Sequence, residues 1–229
     1  GTAVITKTEA RLWTDGRYFI QAAAQLEGTT VELMKMGEPG VPEMNAYIEE
    51  VLKEGETLGF DGRVVSVGEG EDYAALAGKK NAKVNYQVDL IDEIWEDRPV
   101  LSEEPAFNLD VKYAGETVAS KLARIREEMK EAGTNVHVVS TIDDICWTLN
   151  IRGNDIDFFP LVLSYGIITM DSFELYIDEK KLDDKLKAKL AKDGVNLHPY
   201  NDIYEDVKKF GSDVVAMIDP GKLNYALFN

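Results

Sequence analysis

The sequence has little of what most catalytic and metal-binding sites use. It contains one cysteine and two histidines among 229 residues. A single cysteine excludes an internal disulfide and is typical of a reducing compartment. The longest apolar stretch, residues 158–170, is broken by proline, serine and glycine and is too short to cross a bilayer. With no secretory signal at its start, the chain is expected to be soluble and cytoplasmic and to bind no membrane.

Positive charge is also scarce. The chain has 25 lysines and arginines against 42 aspartates and glutamates, which gives a formal net charge of −17. A field of this sign repels phosphate backbones, and no basic run overrides it locally. We therefore expect no nucleic-acid partner. An acidic surface could attract basic proteins, but the simpler interpretation is a solvated surface that keeps the protein in solution.

One local plan occurs twice in the chain. Residues 4–6 and 10–14 predict two short strands, and the alanine-rich residues 17–26 predict a helix. Asp15 stands before the helix, where its carboxylate can cap the first turn. A shift of 163 positions places Asp15 on Asp178, behind a second predicted hairpin and ahead of a second helix. This match predicts an internal duplication.

The rest of the chain alternates helices and strands, which indicates an α/β layer fold. Further helices are predicted over residues 44–52, 72–80, 113–132, 141–147, 182–192 and 202–210, and further strands over 29–34, 57–60, 82–87, 136–140 and 213–218. Prolines and acidic residues without an apolar period mark a linker. We place a first domain at residues 1–98, the linker at 99–110 and a second domain at 111–229.

A search for catalytic chemistry finds no convincing group. His137 lies in a predicted buried strand and His198 beside a proline, and neither has the spacing of a metal site. Cys146 is flanked by acidic residues, which favours a buried apolar role over a nucleophile. The GEGEDY run that starts at Gly68 lacks the lysine of a phosphate-binding loop. The residues alone therefore predict no catalytic residue and no metal site.

Two polar clusters stand out. The first joins Trp13, Asp15, Arg17 and Tyr18 at the corner between hairpin and helix. We interpret it as a cap and an ion pair that fix this corner, with Thr141 expected to cap the helix that follows residues 136–140 in the same way.

The second cluster is the run NIRGND over residues 150–155. It places Arg152 on a glycine-containing loop after a helix, where a guanidinium can hold a carboxylate through two parallel hydrogen bonds. For Arg152, with Asn150 and Asp155, structural and functional roles are equal alternatives on the residues alone.

Three motifs at consistent separations resemble the three-domain Xaa-Pro aminopeptidases (aminopeptidase P). They are GTAVITKTEARLWTDGRYFIQAA at the start, IWEDRP over residues 94–99 and WTLNIRGNDIDFFPLVLSYGII over residues 147–168. The resemblance implies two tandem creatinase/prolidase N-terminal-like domains of the ribonuclease H-like type, each a mixed sheet flanked by helices. It also implies that the first domain lacks a helix, a strand and a glycine-rich turn at its start. Ile151 replaces the usual leucine, and Phe159 replaces a frequent asparagine.

The resemblance further implies an activity for a longer parent protein. Family members remove an N-terminal residue that precedes proline, using two divalent metal ions, commonly manganese, in a third domain. The chain ends before that domain, so we expect it to be inactive alone and to contribute to a homodimer and to the walls of a cleft for proline-containing peptides. Our hypothesis is that Arg152, Asn150 and Asp155 face this cleft.

Two alternatives stay open. A free-standing interaction module that kept the creatinase-like fold without the peptidase would suit an acidic surface. The N-terminal region of a prolidase or creatinase would carry another substrate on a similar scaffold, but those relatives usually have one such domain rather than two.

Overall fold

A computed structural model describes all 229 residues, and the chain divides into two compact units. The first comprises Gly1–Gly59 and Glu71–Asn85, and the second comprises Phe60–Gly70 and Tyr86–Asn229. None of the helices is long and apolar enough to cross a membrane. The domain boundaries at residues 98 and 111 stay predictions.

A three-stranded sheet forms the start of the first unit. Its strands are β1 (Thr2–Ile5), β2 (Ala10–Thr14) and β3 (Val31–Lys35), with helix α1 (Phe19–Leu26) between β2 and β3. β1 runs antiparallel to β2, and β2 runs parallel to β3. The predicted hairpin and helix are confirmed, although the helix begins with a 3-10 turn over Gly16–Tyr18.

The first unit continues with α2 (Met44–Val51), β4 (Thr57–Gly59) and β5 (Lys83–Asn85), and β4 pairs in parallel with β5. Helix α3 (Val67–Lys79) has its first four residues in the second unit and the rest in the first. Helix α3 begins five residues before the predicted position at residue 72. The GEGEDY run therefore lies within a helix rather than in a loop. Trp13, Met34 and Tyr47 form the buried cluster of the three-stranded sheet.

The second unit contains most of the remaining elements. Its helices are α4 (Val111–Ala114), α5 (Val118–Glu131), α6 (Ile142–Leu149), α7 (Asp184–Lys192), α8 (Ile203–Asp206) and α9 (Tyr225–Phe228). Its strands are β6 (Phe107–Asn108), β7 (Val136–Val139), β8 (Ile151–Arg152), β9 (Tyr165–Thr169), β10 (Phe173–Tyr176), β11 (Val195–His198) and β12 (Ala216–Met217). A five-stranded mixed sheet has the order β11-β10-β9-β7-β12, and β6 pairs separately with β8. This arrangement confirms the predicted α/β class.

The five-stranded sheet is buried on both faces. Val136 and Val138 of β7 contact one apolar cluster, whereas Val139 belongs to the other. Neighbouring residues of β9 divide in the same way, with Ile167 on one face and Ile168 on the other. This alternation follows from the two-residue period of a strand and confirms the buried strand predicted over residues 136–140.

Some local predictions were wrong. The single helix predicted over residues 113–132 is divided into α4 and α5, because Gly115 adopts a left-handed conformation with φ of 78° that ends α4. Phe107 and Asn108, within the predicted linker, form strand β6. Thr141 occupies the N-cap position of α6, but its hydroxyl donates to Asp144 instead of accepting from a backbone N–H.

The duplicated plan is confirmed in its strand register. Leu12 lies opposite Ala3 in β1 and Leu33 in β3. Leu175, which is Leu12 shifted by 163 positions, lies opposite Gly166 in β9 and Leu197 in β11. Asp15 and Asp178 each accept a backbone N–H of the 3-10 turn that follows. The two units thus share a hairpin, a capped turn, a helix and a parallel strand.

Candidate functional site

The candidate site is built around the end of α6. Ile145, Cys146 and Leu149 anchor this helix in the core with no measurable exposure. Asn150 ends the helix in a left-handed conformation with φ of 52° and ψ of 43°. Asparagine tolerates this conformation better than most residues, so the chain can turn sharply from α6 into β8.

Three cationic side chains meet the carbonyl groups at this helix end. Arg152 Nη1 lies 2.8 Å from Cys146 O, and Lys121 Nζ lies 2.6 Å from Trp147 O. Lys189 Nζ is a weaker contact at 3.5 Å from Leu149 O. The last carbonyl groups of a helix lack intrahelical donors and carry partial negative charge, so these contacts stabilise the turn.

Asn150 is locked in place by its side chain. The residue is buried, its Oδ1 accepts from Lys121 Nζ at 2.7 Å, and its Nδ2 donates to Glu116 O at 2.8 Å. Lys121 is itself buried, lies 4.3 Å from the centre of the Trp147 ring and forms no ion pair. Burial lowers the pKa of the Lys121 ammonium.

A second buried lysine holds the other end of the loop. Asp155 Oδ2 accepts from Lys181 Nζ at 2.6 Å and from Leu163 N at 2.7 Å. The two paired side chains are 1% and 2% exposed, respectively. Asp155 Oδ1 is buried without a hydrogen-bond partner. Both ends of the 150–155 loop are therefore fixed inside the second unit.

Arg152 lies between these anchors and is half-buried. Its Nη1 donates to Cys146 O at 2.8 Å and to Ile151 O at 2.7 Å. The N–H groups on Nε and Nη2 have no partner in the chain and are not buried. These two nitrogens form the side of a guanidinium that can bind both oxygens of a carboxylate.

The corner in the first unit uses its polar groups internally. Arg17 Nε and Nη2 donate to the two carboxylate oxygens of Asp15 at 2.8 and 2.9 Å. This pairing lowers the pKa of Asp15 to about 2. Trp13 is buried, donates from Nε1 to Pro42 O at 2.8 Å and packs against Tyr47. Tyr18 is exposed. The geometry is that of a capped, ion-paired corner.

The residues considered for catalysis lie apart from one another. Cys146 is fully buried, and burial raises the pKa of its thiol. His137 contacts Met217 O at 3.1 Å, and His198 Nε2 contacts Glu174 Oε2 at 2.6 Å. No group of three or more histidine, cysteine, aspartate or glutamate side chains is placed to hold a metal ion.

Sequence reasoning missed three residues of this site. Phe107 lay in the predicted linker, yet it pairs with Arg152 across the β6–β8 ladder. Lys181 gives no sequence signal, because its partner is 26 positions away. Lys121 did give one, since it lies between Val118 and Leu122 on the apolar side of its helix. A lysine on such a face needs a buried acceptor.

Comparison with known families shows which family the chain belongs to. Residues 1–94 and residues 97–229 each match a family model described as a creatinase/prolidase N-terminal domain. The chain therefore belongs to the creatinase/prolidase N-terminal family and carries two such domains.

The individual relatives that the chain resembles are aminopeptidases. The chain is 39% identical to Aminopeptidase P2 of Arabidopsis thaliana over 233 residues, covering all of this chain and 33% of the relative. It is 38% identical to the Xaa-Pro aminopeptidase app-1 of Caenorhabditis elegans, covering 88% of this chain and 33% of the relative. The solved X-prolyl aminopeptidase of C. elegans superimposes with a TM-score of 0.91 at 35% identity, over 98% of this chain and 38% of that one.

These comparisons confirm the resemblance to the N-terminal domains of Xaa-Pro aminopeptidases. The solved C. elegans protein is described as a cytosolic enzyme with a di-nuclear active site. The chain spans about a third of the length of the curated relatives it matches.

Proposed function

We infer that the chain is the non-catalytic N-terminal region of a metal-dependent Xaa-Pro aminopeptidase and that it forms part of the wall of the substrate cleft. The observation that carries this inference is the fixed guanidinium of Arg152. Two backbone carbonyls hold one of its nitrogens, whereas its Nε and Nη2 groups have no partner in the chain and are not completely buried. A donor pair held in this way is suited to orienting a peptide, because little side-chain freedom is lost on binding.

Asn150 and Asp155 take a supporting role in this proposal. Their side chains are buried and bonded to Lys121 and Lys181, respectively. They therefore hold the Arg152 loop in position, and Arg152 is the member of the group that contacts the peptide.

The metal ions of the parent enzyme would lie outside these residues. The relative of known structure has a di-nuclear active site, and no residue group of this chain is arranged to hold a metal. We expect two divalent cations, manganese by family resemblance, in the remaining part of the parent. The present chain would then contribute binding surface for the peptide and part of a homodimer interface. The parent enzyme would be cytoplasmic.

The test uses the full product of the gene. Its intact mass should be far larger than 25.6 kDa, and it should cleave the first residue from peptides with proline in the second position. Replacing Arg152 with glutamine should lower kcat/KM while the far-UV spectrum stays unchanged and the unfolding midpoint falls only by the loss of the hydrogen bonds to Cys146 O and Ile151 O. Unchanged kinetics in Arg152→Gln would show that Arg152 does not contact the peptide in the cleft. A gene product of this chain's mass, without peptidase activity, would overturn the proposed function.

One observation favours a second candidate, a protein-interaction module. Phe158 is fully exposed and Phe159 is 56% exposed at the tip of the loop that follows the Arg152 strand. Exposed aromatic residues on a rigid turn are typical of protein-binding surfaces. This candidate becomes the better account if the endogenous protein has the mass of this chain alone.

A further inference from the structure

We propose that the Nε and Nη2 groups of Arg152 bind the C-terminal carboxylate of a short peptide, and that Phe107 packs against the last side chain of that peptide. This inference rests on the proposed function, and it specifies which part of the substrate the loop contacts. Neither the relatives' descriptions nor the sequence motifs assign a role to Phe107.

The orientation of the guanidinium supports a carboxylate as the ligand. Nη1 donates to both Cys146 O and Ile151 O, so the guanidinium group cannot rotate freely. The remaining accessible donors, on Nε and Nη2, point along one side of the group. The Arg17 and Asp15 pair of this same chain shows that geometry, with the two nitrogens 2.8 and 2.9 Å from the two carboxylate oxygens. A backbone carbonyl would engage these two donors less completely than a carboxylate.

The local charge also favours an anion. Arg152 and Lys121 form no ion pair with any carboxylate, although the chain carries a net charge of −17. The nearby Arg124 is paired, because its Nη2 lies 2.8 Å from Glu116 Oε2. Arg152 and Lys121 repel each other, and this repulsion contributes to lowering the pKa of Lys121 after the larger effect of burial. A bound carboxylate would relieve this excess of positive charge.

Phe107 supplies the apolar half of the site. It lies directly opposite Arg152 in the antiparallel β6–β8 ladder, and residues in such a pair project from the same face. The residue is 48% exposed, so its ring is available for contact. A carboxylate on Arg152 would therefore bring the neighbouring side chain of the peptide over this ring. The pair suits a C-terminal residue, which carries both groups on one carbon atom.

Peptides that differ only at the C-terminus provide the test. The full gene product is assayed with a short Xaa-Pro peptide as the free acid and as the C-terminal amide. We expect the amide to raise KM by about tenfold or more, because it loses a charge-assisted pair of hydrogen bonds. In Arg152→Gln the acid and amide should have similar KM values. The matched control Arg124→Gln removes an arginine that is already paired, and should keep the wild-type ratio.

Phe107 is tested by a second pair of variants. Phe107→Ala should raise KM for the free acid several-fold while leaving the amide-to-acid ratio of KM above one. Phe228→Ala removes a phenylalanine of the same 48% exposure, in α9 and outside the β6–β8 ladder, and should leave KM unchanged. Equal KM values for acid and amide in the wild-type enzyme would overturn the carboxylate assignment, and an unchanged KM in Phe107→Ala would remove Phe107 from the site.

A binding measurement separates this inference from the proposed function. The 229-residue chain is titrated with the acid and amide peptides while the Arg152 Nε–H resonance is followed by NMR. A shift with the acid alone supports the site even if the full gene product has no peptidase activity, an outcome that overturns only the proposed function. Equal shifts, or no shift at millimolar peptide, would contradict the site even if the peptidase activity is present.

Discussion

Lys181 Nζ lies 2.6 Å from Asp155 Oδ2, and both side chains are almost completely buried. This ion pair joins the turn before α7 to the end of the loop that carries Arg152. Burying two charges is expensive unless each is well paired, so the contribution of this contact lies more in fixing the loop than in raising stability. Asp155 also accepts the backbone N–H of Leu163, which ties the loop to the segment leading into β9.

Replacing one partner of this ion pair should destabilise the protein more than replacing both partners. Lys181→Met leaves a buried, unpaired carboxylate and should lower the free energy of unfolding by about 3–5 kcal/mol. The double variant Asp155→Leu with Lys181→Met removes both charges and should recover more than half of that loss. Recovery should be incomplete because Leu163 N–H then lacks its acceptor. Urea unfolding measures all three proteins, and a double variant no more stable than the single one would contradict this account.

Two glycines of α3 should respond in opposite ways to alanine. A Cβ on Gly70 would lie 2.2 Å from the Tyr225 ring, whereas a Cβ on Gly78 would meet nothing within 4 Å. Gly78→Ala should therefore stabilise the protein by about 0.5–1 kcal/mol, since alanine is the better helix former. Gly70→Ala should destabilise it by about 1–3 kcal/mol because Tyr225 must move. Thermal unfolding of both variants checks the signs, and equal signs would disprove the packing argument.

Phe158 should be replaceable by glycine with a gain in stability. Its φ of 64° lies in the left-handed region, and its side chain is fully exposed. A left-handed conformation costs a residue with a Cβ about 1–2 kcal/mol, and glycine offsets part of the relief through its greater freedom in the unfolded chain. We expect a net gain of about 0.5–1 kcal/mol in Phe158→Gly. Phe159→Gly serves as the control and should destabilise, because Phe159 has no left-handed backbone to relieve.

Elements that depend on local sequence patterns could be predicted from the sequence. The hairpin, turn and helix around Asp15 and Asp178 depend on local periodicity and capping, so both copies were found with a common shift. The division of the long helix at Gly115 was missed because α4 has only four residues, too few to show a period of its own.

The candidate site was only partly accessible in the same way. Arg152 was found because a glycine loop after a helix is a local signal. Lys121 and Lys181 act on residues 29 and 26 positions away, so their roles depend on tertiary packing that periodicity does not reveal. Phe107 was assigned to a linker because a two-residue strand has no period to detect.

The loss of folding stability at low pH depends in part on Glu116, whose backbone carbonyl contacts Asn150. Its hydrogen bond with Arg124, and to a smaller extent that with Ser120, lowers its pKa from 4.5 to about 2. A carboxyl group whose pKa is lowered in the folded state stabilises the protein above its unfolded pKa, and this stabilisation is lost as the pH falls towards the folded value. The contribution should therefore be complete above about pH 5.5 and should disappear between pH 4.5 and about 2.

Arg124→Gln tests this linkage directly. An NMR titration should show the pKa of Glu116 moving from about 2 towards 4.5 in Arg124→Gln, with a smaller rise in Ser120→Ala. Because the variant lacks the lowered pKa, its deficit in unfolding free energy relative to wild type should be largest near neutral pH and should shrink as the pH falls through 4.5. Screening by salt should reduce the deficit, since the Arg124 side chain is 60% exposed. A deficit that stays constant from neutral pH to pH 2.5 would show that Arg124 acts through packing rather than through the charge of Glu116.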